Sequence, residues 1–218
     1  MNFRGEALPL TDSDIEIIAG YLGCQVAALH SVIIVETTGK GFGPDNRPIM
    51  LCEPHIFYHE LKIQSQRLQA SKQGLAYPKW GTKPYPTTQN IRYLWLDKAM
   101  EINQEAALSS CSWGLGQVLG INYKICGFST ILDFVEAMKY SGASQLYAMA
   151  KFIAADHLQV YLRNLAWSEF AHRYNGPAYA LNHYEIKLEH TYNRLPASEK
   201  VIPSPPSNYT LDSLLPSK

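Results

Sequence analysis

Residues 25–53 read QVAALHSVIIVETTGKGFGPDNRPIMLCE, and the fold follows from how this stretch is parsed. From 25 to 37 apolar residues occupy nearly every face of a helix, the mark of a helix enclosed by protein on all sides. Gly39, Gly41 and Gly43, interleaved with Lys40, Phe42 and Pro44, cannot continue it, and Asp45-Asn46 before Arg47-Pro48 reads as a turn. Residues 48–52 form a short apolar strand, which Glu53-Pro54 stops, with Pro54 opening the next helix. Two carboxylates punctuate the stretch. Glu36 follows Val32-Ile33-Ile34-Val35, where loss of water disfavours the charged form and lets the carboxyl act as an acid near neutral pH. The plainer reading is a wetted group at a helix end. Glu53 either reaches the same space as Glu36 or caps the following helix.

Before this stretch, LTDSDIEIIAGYLG carries a capping signature at Thr11 or Ser13 and a stop at Gly23. Residues 1–24 are therefore expected to supply one helix packed on the core. After it, HIFYHELKIQSQRL reads as a single helix using Ile56, Phe57, Leu61 and Leu68. The segment ASKQGLAYPKWGTKPYPTTQN then holds three prolines, two glycines and the aromatics Tyr77, Trp80 and Tyr85. A connection this long is unusual, and its aromatic content favours an ordered binding loop with these rings exposed.

Helical patterns resume at NIRYLWLDKAMEI, with Ile91, Leu94, Trp95 and Ala99 as its inner face, and run to Ser110. CSWGLGQVLGINYKICGF reads as turns. STILDFVEAMKYS is an amphipathic helix capped by Ser129 or Thr130 and ended by Gly142. Two further helices, a short one before Asn175-Gly176-Pro177 and a long last one follow. The proline- and serine-rich residues 196–218 show no periodicity and read as a tail with no core to join. The architecture is mainly α, with one small extended element near residues 48–53.

The chain has 218 residues, 46% hydrophobic and 17% charged, enough for one good core. Basic and acidic residues number 19 each, and no basic run favours nucleic acid or an anionic membrane. No apolar run approaches the roughly 18 residues that span a bilayer, and the first residues lack the core of a secretory signal. The expectation is a chain made in the cytoplasm without a signal peptide, with no stable membrane insertion. Cys24, Cys52, Cys111 and Cys126 lack CxxC spacing and are expected as buried, reduced thiols. His55 and His59 form an i, i+4 pair without the intervening glutamate of a zinc motif, so no metal or organic cofactor is expected. Carboxylate chemistry on a bound polymer fits Glu36, Glu53 and the aromatic loop best.

Three segments in order carry a resemblance: Glu36-Thr37-Thr38-Gly39, then Ser112-Trp113-Gly114-Leu115-Gly116-Gln117, then Tyr174-Asn175-Gly176. They resemble the signature segments of lysozyme-like muramidases and soluble lytic transglycosylases. With their flanks, VETTGKGFGPDNRPIMLCEPHIFY, ALSSCSWGLGQVLGINY and RYNGPAYALNHYEIKL, residues 16–195 look like the N-acetylmuramidase domain of phage endolysins. The resemblance implies a lysozyme-like helical lobe over residues 25–195. It also implies a peptidoglycan hydrolase that cleaves the β-1,4 bond between N-acetylmuramic acid and N-acetylglucosamine, with Glu36 as general acid.

In this resemblance Gln117 and Asn175 match polar positions of the sugar cleft, with Ser112 and Tyr174 on the same wall. Trp80 and Trp113 are added as aromatic sugar contacts. Gly114 and Gly116 read as steric features of a tight turn. Glu53 can activate water or stabilise an oxocarbenium-like transition state. Otherwise the sugar's own groups assist and 1,6-anhydro ends form, as in lytic transglycosylases. A catalytically inactive glycan-binding or adaptor domain is the reading from another class. Few residues precede the central helix, so no separate wall-binding module is expected there. The expected partner is the peptidoglycan glycan strand, with an immunity protein or delivery carrier as further candidates and a monomer as the default. The expected site of action is the periplasm or cell wall, reached by holin release or secretion-system delivery.

Overall fold

The computed structural model describes residues 2–37, 39–204 and 210–216. Thr38, which shares the first signature segment with Glu36, lies outside them. Eleven α-helices and a three-stranded antiparallel sheet are found among the described residues, a mainly α fold.

Helix α1 (Asp12–Leu22) begins where its sequence signals it. The Thr11 hydroxyl accepts from the Asp14 N–H at 3.2 Å, the Asp14 carboxylate accepts from the Thr11 N–H at 2.9 Å, and Gly23 ends the helix at φ 64°. Helix α2 (Val26–Thr37) is the central helix. Ala27, Ala28, Leu29, Val32 and Ile33 are buried, and its buried Ser31 is satisfied by donating to the Ala27 carbonyl at 2.7 Å. Helices α1, α9 (Gln159–Arg163) and α11 (Tyr184–Arg194) surround it. No single helix among the described residues is long and apolar enough to cross a membrane. Helices α1 and α2 reach that length only as a pair bent by 114°, with much of their apolar surface in the core.

Strand β1 (Met50–Cys52) is joined by two strands that the turn-like sequence around residue 115 conceals, β2 (Cys111–Trp113) and β3 (Val118–Leu119). The order is β1-β2-β3, with Leu51 opposite Ser112 and Ser112 opposite Leu119. Strands of two and three residues are too short to show alternation, which is why only one was legible. The free edge of β1 is covered by side chains. The Gln89 amide exchanges two hydrogen bonds with Met50, at 3.0 and 3.1 Å, and the Arg92 guanidinium donates to the Met50 carbonyl.

Several boundaries differ from expectation. Residues 55–68 form two helices, α3 (Pro54–Glu60) and α4 (Gln64–Lys72), because Leu61 turns extended to enter the core and Arg67 donates to the carbonyls of Tyr58 and Leu61 that α3 leaves free. Leu68 is exposed. In α5 (Gln89–Ile102) the inner face is rotated: Ile91 and Leu94 are 49% and 61% exposed, whereas Tyr93 and Leu96 join Trp95 and Ala99 inside. Tyr93 decides this. Its hydroxyl donates to the Pro48 carbonyl at 2.7 Å, its ring lies 5.2 Å from Phe3, and the Arg47 guanidinium sits 4.2 Å above it.

Asn103 breaks the following helix and caps α6 (Gln104–Ser109) by accepting from the Ala106 N–H. Helix α7 (Ile131–Tyr140) stops at Ser141, which caps α8 (Gly142–Ala155), so Gly142 opens a helix instead of closing one. Helix α10 (Trp167–Asn175) and a 3-10 turn (Pro177–Asn182) lead into α11. All four cysteines are buried free thiols.

The tail is the largest departure. The Val201 carbonyl accepts from the first N–H of α2, and Glu199 pairs with His30 at 2.8 Å. Further on, Leu214 is 5% exposed, its carbonyl accepts from Ser144, and Asp212 accepts from Tyr147. The described tail residues therefore dock on the domain through isolated contacts that leave no periodicity. Residues 205–209 and 217–218 lie outside the description.

Candidate active site

The last turn of α2, the end of β1, the β2–β3 hairpin and the end of α10 meet at a cleft of about 330 Å³. Glu36 and Glu53 both line it, as do Ser112, Gln117, Tyr174 and Asn175. Six of the eight residues singled out from sequence are thus brought together.

Glu36 takes its position from the burial of α2, which ends as the helix reaches the cleft. Burial raises its pKa from 4.5 to about 7, and the hydrogen bond from Asn175 opposes this. The helix C-terminus, with its partial negative charge, acts in the same direction as burial. Asn175 Nδ2 donates to Glu36 Oε1 at 2.7 Å, while Asn175 Oδ1 is buried with no hydrogen-bond partner among the described residues. A buried amide oxygen in that state is an open acceptor for a ligand's N–H or O–H.

Tyr174 and Gln117 sit on the cleft wall but spend their polar groups on it. The Tyr174 hydroxyl donates to the Gly116 carbonyl at 2.7 Å, and its ring stacks on Phe170 at 5.2 Å. The Gln117 amide donates to the Gly114 and Ile49 carbonyls at 2.8 and 3.3 Å. Both therefore tie the hairpin turn to its neighbours. Tyr184, opening α11, is close enough for Glu36 to raise its phenol pKa alongside burial.

Glu53 ends β1 at the N-cap position of α3 but makes no cap hydrogen bond. Its Oε2 accepts from the Tyr85 hydroxyl at 2.5 Å, and His55 Nδ1 lies 3.5 Å from the same oxygen. Burial raises the pKa of Glu53, and the bond from Tyr85 lowers it. Its side chain thus forms no capping hydrogen bond, although the carboxyl sits at the N-terminal end of α3.

One expected sugar contact is corrected. Trp113 is 0% exposed, its indole N–H donates to the Leu108 carbonyl at 3.1 Å, and its ring packs 5.9 Å from Phe3. Strand alternation explains it: with Ser112 on the cleft side, Trp113 must face the core. Trp80 is 63% exposed and does not line the cleft, although its indole approaches the Tyr85 oxygen. Of the loop's other aromatics, Tyr77 is buried, its hydroxyl donating to the Lys83 carbonyl, and Tyr85 is half-buried.

Gln145 was missed. This buried amide on α8 donates to the carbonyls of Gly41 and Met138 and accepts from the Leu115 N–H at 2.9 Å. It joins the turn after α2 to the β2–β3 turn. Both glycines there are needed for its approach: a Cβ at Gly41 would lie 2.0 Å from Gln145 Oε1, and one at Gly114, itself at φ +67°, 2.6 Å from its Cδ. The only sequence signal was a lone amide in an otherwise apolar helix. Asn122 and Phe152 also line the cleft and carried no signal. Among the described residues no group of three or more His, Cys, Asp or Glu side chains is placed to hold a metal ion, and His59 instead contacts the Pro78 carbonyl.

Comparison with known proteins gives a family and a structural relative. The sequence pattern of the N-acetylmuramidase family matches residues 25–196. The crystal structure of the Burkholderia AP3 phage endolysin superposes with a TM-score of 0.76 at 38% identity, covering 89% of this chain and 73% of that one. No curated protein matches the chain.

Proposed function

We propose, from the membership of this chain in the N-acetylmuramidase family, that it is a peptidoglycan hydrolase cleaving the β-1,4 bond between N-acetylmuramic acid and N-acetylglucosamine. One observation carries the reading: Glu36, pushed up to about 7 by burial, shares a polar cleft with a second carboxylate. A carboxyl that keeps its proton near neutral pH is what protonation of a glycosidic oxygen requires. As the leaving oxygen takes the proton, Glu36 becomes charged. The Asn175 amide N–H is already placed on it and stabilises that charge. Asn175 Oδ1 accepts from an acetamido N–H or hydroxyl of the sugar, and Ser112, lining the same cleft, offers a hydroxyl. Glu53 in its ionised form activates the attacking water or stabilises the oxocarbenium-like state. The polymer acted on is that of the cell wall, and the structural relative is a phage endolysin.

A second reading, the lytic transglycosylase, has its own observation. Burial raises the pKa of Glu53 as well as that of Glu36, and a protonated Glu53 activates no water. The sugar's own hydroxyl then closes on the anomeric carbon and gives its proton to Glu36, which is ionised once it has protonated the leaving oxygen. Mass spectrometry of the released muropeptides separates the two, since hydrolysis leaves reducing ends and the alternative leaves 1,6-anhydro ends. Clearing of permeabilised Gram-negative cells by the wild type but not by Glu36→Gln is the expected outcome. Equal clearing by both would remove Glu36 from the chemistry.

A further inference from the structure

Glu53 occupies the position where a carboxylate ordinarily accepts from the free N–H groups of the helix it precedes, and it makes no such bond. Its partner is instead Tyr85, 32 residues away, at the far end of the loop between α4 and α5. A loop of this length without regular structure ordinarily has a use. Here it brings three aromatic side chains to one carboxylate. The Tyr85 hydroxyl donates to Glu53 Oε2, the Trp80 indole approaches the Tyr85 oxygen, and Tyr77 is near enough to feel the charge of Glu53.

We propose that Tyr85 is the positioning residue of Glu53: its phenol holds Oε2, so that Oε1 is the oxygen presented to water or sugar. The proposal rests on the reading of Glu53 as the second carboxylate of the reaction. Charge-assisted hydrogen bonds to a carboxylate are short and directional, so a single phenol fixes the rotamer and favours the ionised form against the burial that disfavours it.

The groups facing Glu53 leave Tyr85 as the donor that matters. His55 on α3 lies 3.5 Å from Oε2, and burial and His59 lower its pKa, which works against its acting as a cation there. Cys111 on β2 is a buried thiol whose pKa is raised, hence neutral. Tyr77 donates its proton to the Lys83 carbonyl. Glu36, lining the same cleft, adds negative charge once ionised. Without Tyr85, burial acts on Glu53 unopposed, and the carboxyl takes up a proton at higher pH.

The test is the pH profile of peptidoglycan turnover by the full chain as wild type, Tyr85→Phe and Glu53→Gln. In Tyr85→Phe the acid limb, set by Glu53, is expected to move upward by about one pH unit, the alkaline limb, set by Glu36, to stay in place, and kcat near pH 5 to fall about tenfold with KM within about twofold. A residue that merely packs the loop would lower activity equally at all pH values. Glu53→Gln inactive with a Tyr85→Phe profile superimposable on wild type overturns the proposal and leaves the reading of Glu53 standing. Glu53→Gln as active as wild type removes that reading and the proposal with it. If Tyr85→Phe does not melt cooperatively, Trp80→Phe, which keeps the phenol and removes its indole neighbour, gives the same readout. A smaller upward shift of the acid limb supports the proposal and no shift overturns it.

Discussion

Asn175 Nδ2 donates to Glu36 Oε1 at 2.7 Å, joining the end of α10 to the end of α2 across 139 positions of sequence. The bond opposes the burial that raises Glu36. Asn175→Leu is therefore expected to push the Glu36 pKa further up and move the alkaline limb of the activity profile to higher pH by about 0.5 to 1 unit, with lower kcat because the ionised acid loses its donor. Turnover of purified peptidoglycan between pH 5 and 9 checks both parts.

Glu36 also sets how stability depends on pH. Its ordinary pKa is 4.5 and its folded value about 7, so between them the folded chain holds a proton that the unfolded chain has released. This stabilisation is complete below pH 4.5 and is lost as pH rises through 7. At about 1.4 kcal/mol per unit, the loss comes to about 3 kcal/mol. Glu36→Gln removes it, so guanidinium unfolding should show the variant gaining on wild type from pH 5 to pH 8. A constant difference across that range would mean that Glu36 is not shifted. Glu53, raised in the same direction, keeps part of the slope in both proteins.

Gln145→Leu keeps the volume of the side chain and removes every bond it makes. The Met138 carbonyl and the Leu115 N–H lose a buried partner, whereas the Gly41 carbonyl still accepts from the Ile49 N–H at 2.9 Å. A buried group left unsatisfied costs about 1–3 kcal/mol, so a loss of about 2 kcal/mol is expected in chemical unfolding. Because Gln145 joins the two turns beside the cleft, activity should fall in molecules that remain folded at low temperature, which separates placement of the site from global stability.

Trp113 offers the opposite case. It belongs to a signature segment yet is wholly buried, so Trp113→Ala is expected to cost about 3–5 kcal/mol in stability as a core truncation. KM for peptidoglycan should stay within about twofold of wild type below the melting temperature, since the ring touches no sugar. A large rise in KM in a fully folded variant would return Trp113 to the cleft.

What was legible without coordinates was local or patterned. The all-round apolar sequence of α2, the Thr11 and Thr130 caps, the glycine stop after α1 and the Glu53-Pro54 helix start are each encoded within a few residues. Glu36 was legible because a carboxylate directly after an apolar helix is desolvated wherever that helix is buried. The docked tail, the rotated face of α5 and strands β2 and β3 were not legible. Each depends on a partner far along the chain: Ser144 for Leu214, Pro48 for Tyr93, Leu51 for Ser112.

The same division holds at the cleft. The sequence alone determined the chemistry available, two carboxylates, an amide and a hydroxyl in a set order, together with the burial that makes one carboxylate an acid. Only the tertiary structure decided which of the aromatic residues attend them. Strand register turned Trp113 inward, and chain closure brought Tyr85 to Glu53 and Gln145 to the two glycine turns. The reason is physical: desolvation of a helix end follows from its own neighbours in sequence, whereas a hydrogen bond across the fold depends on where separate elements come to rest.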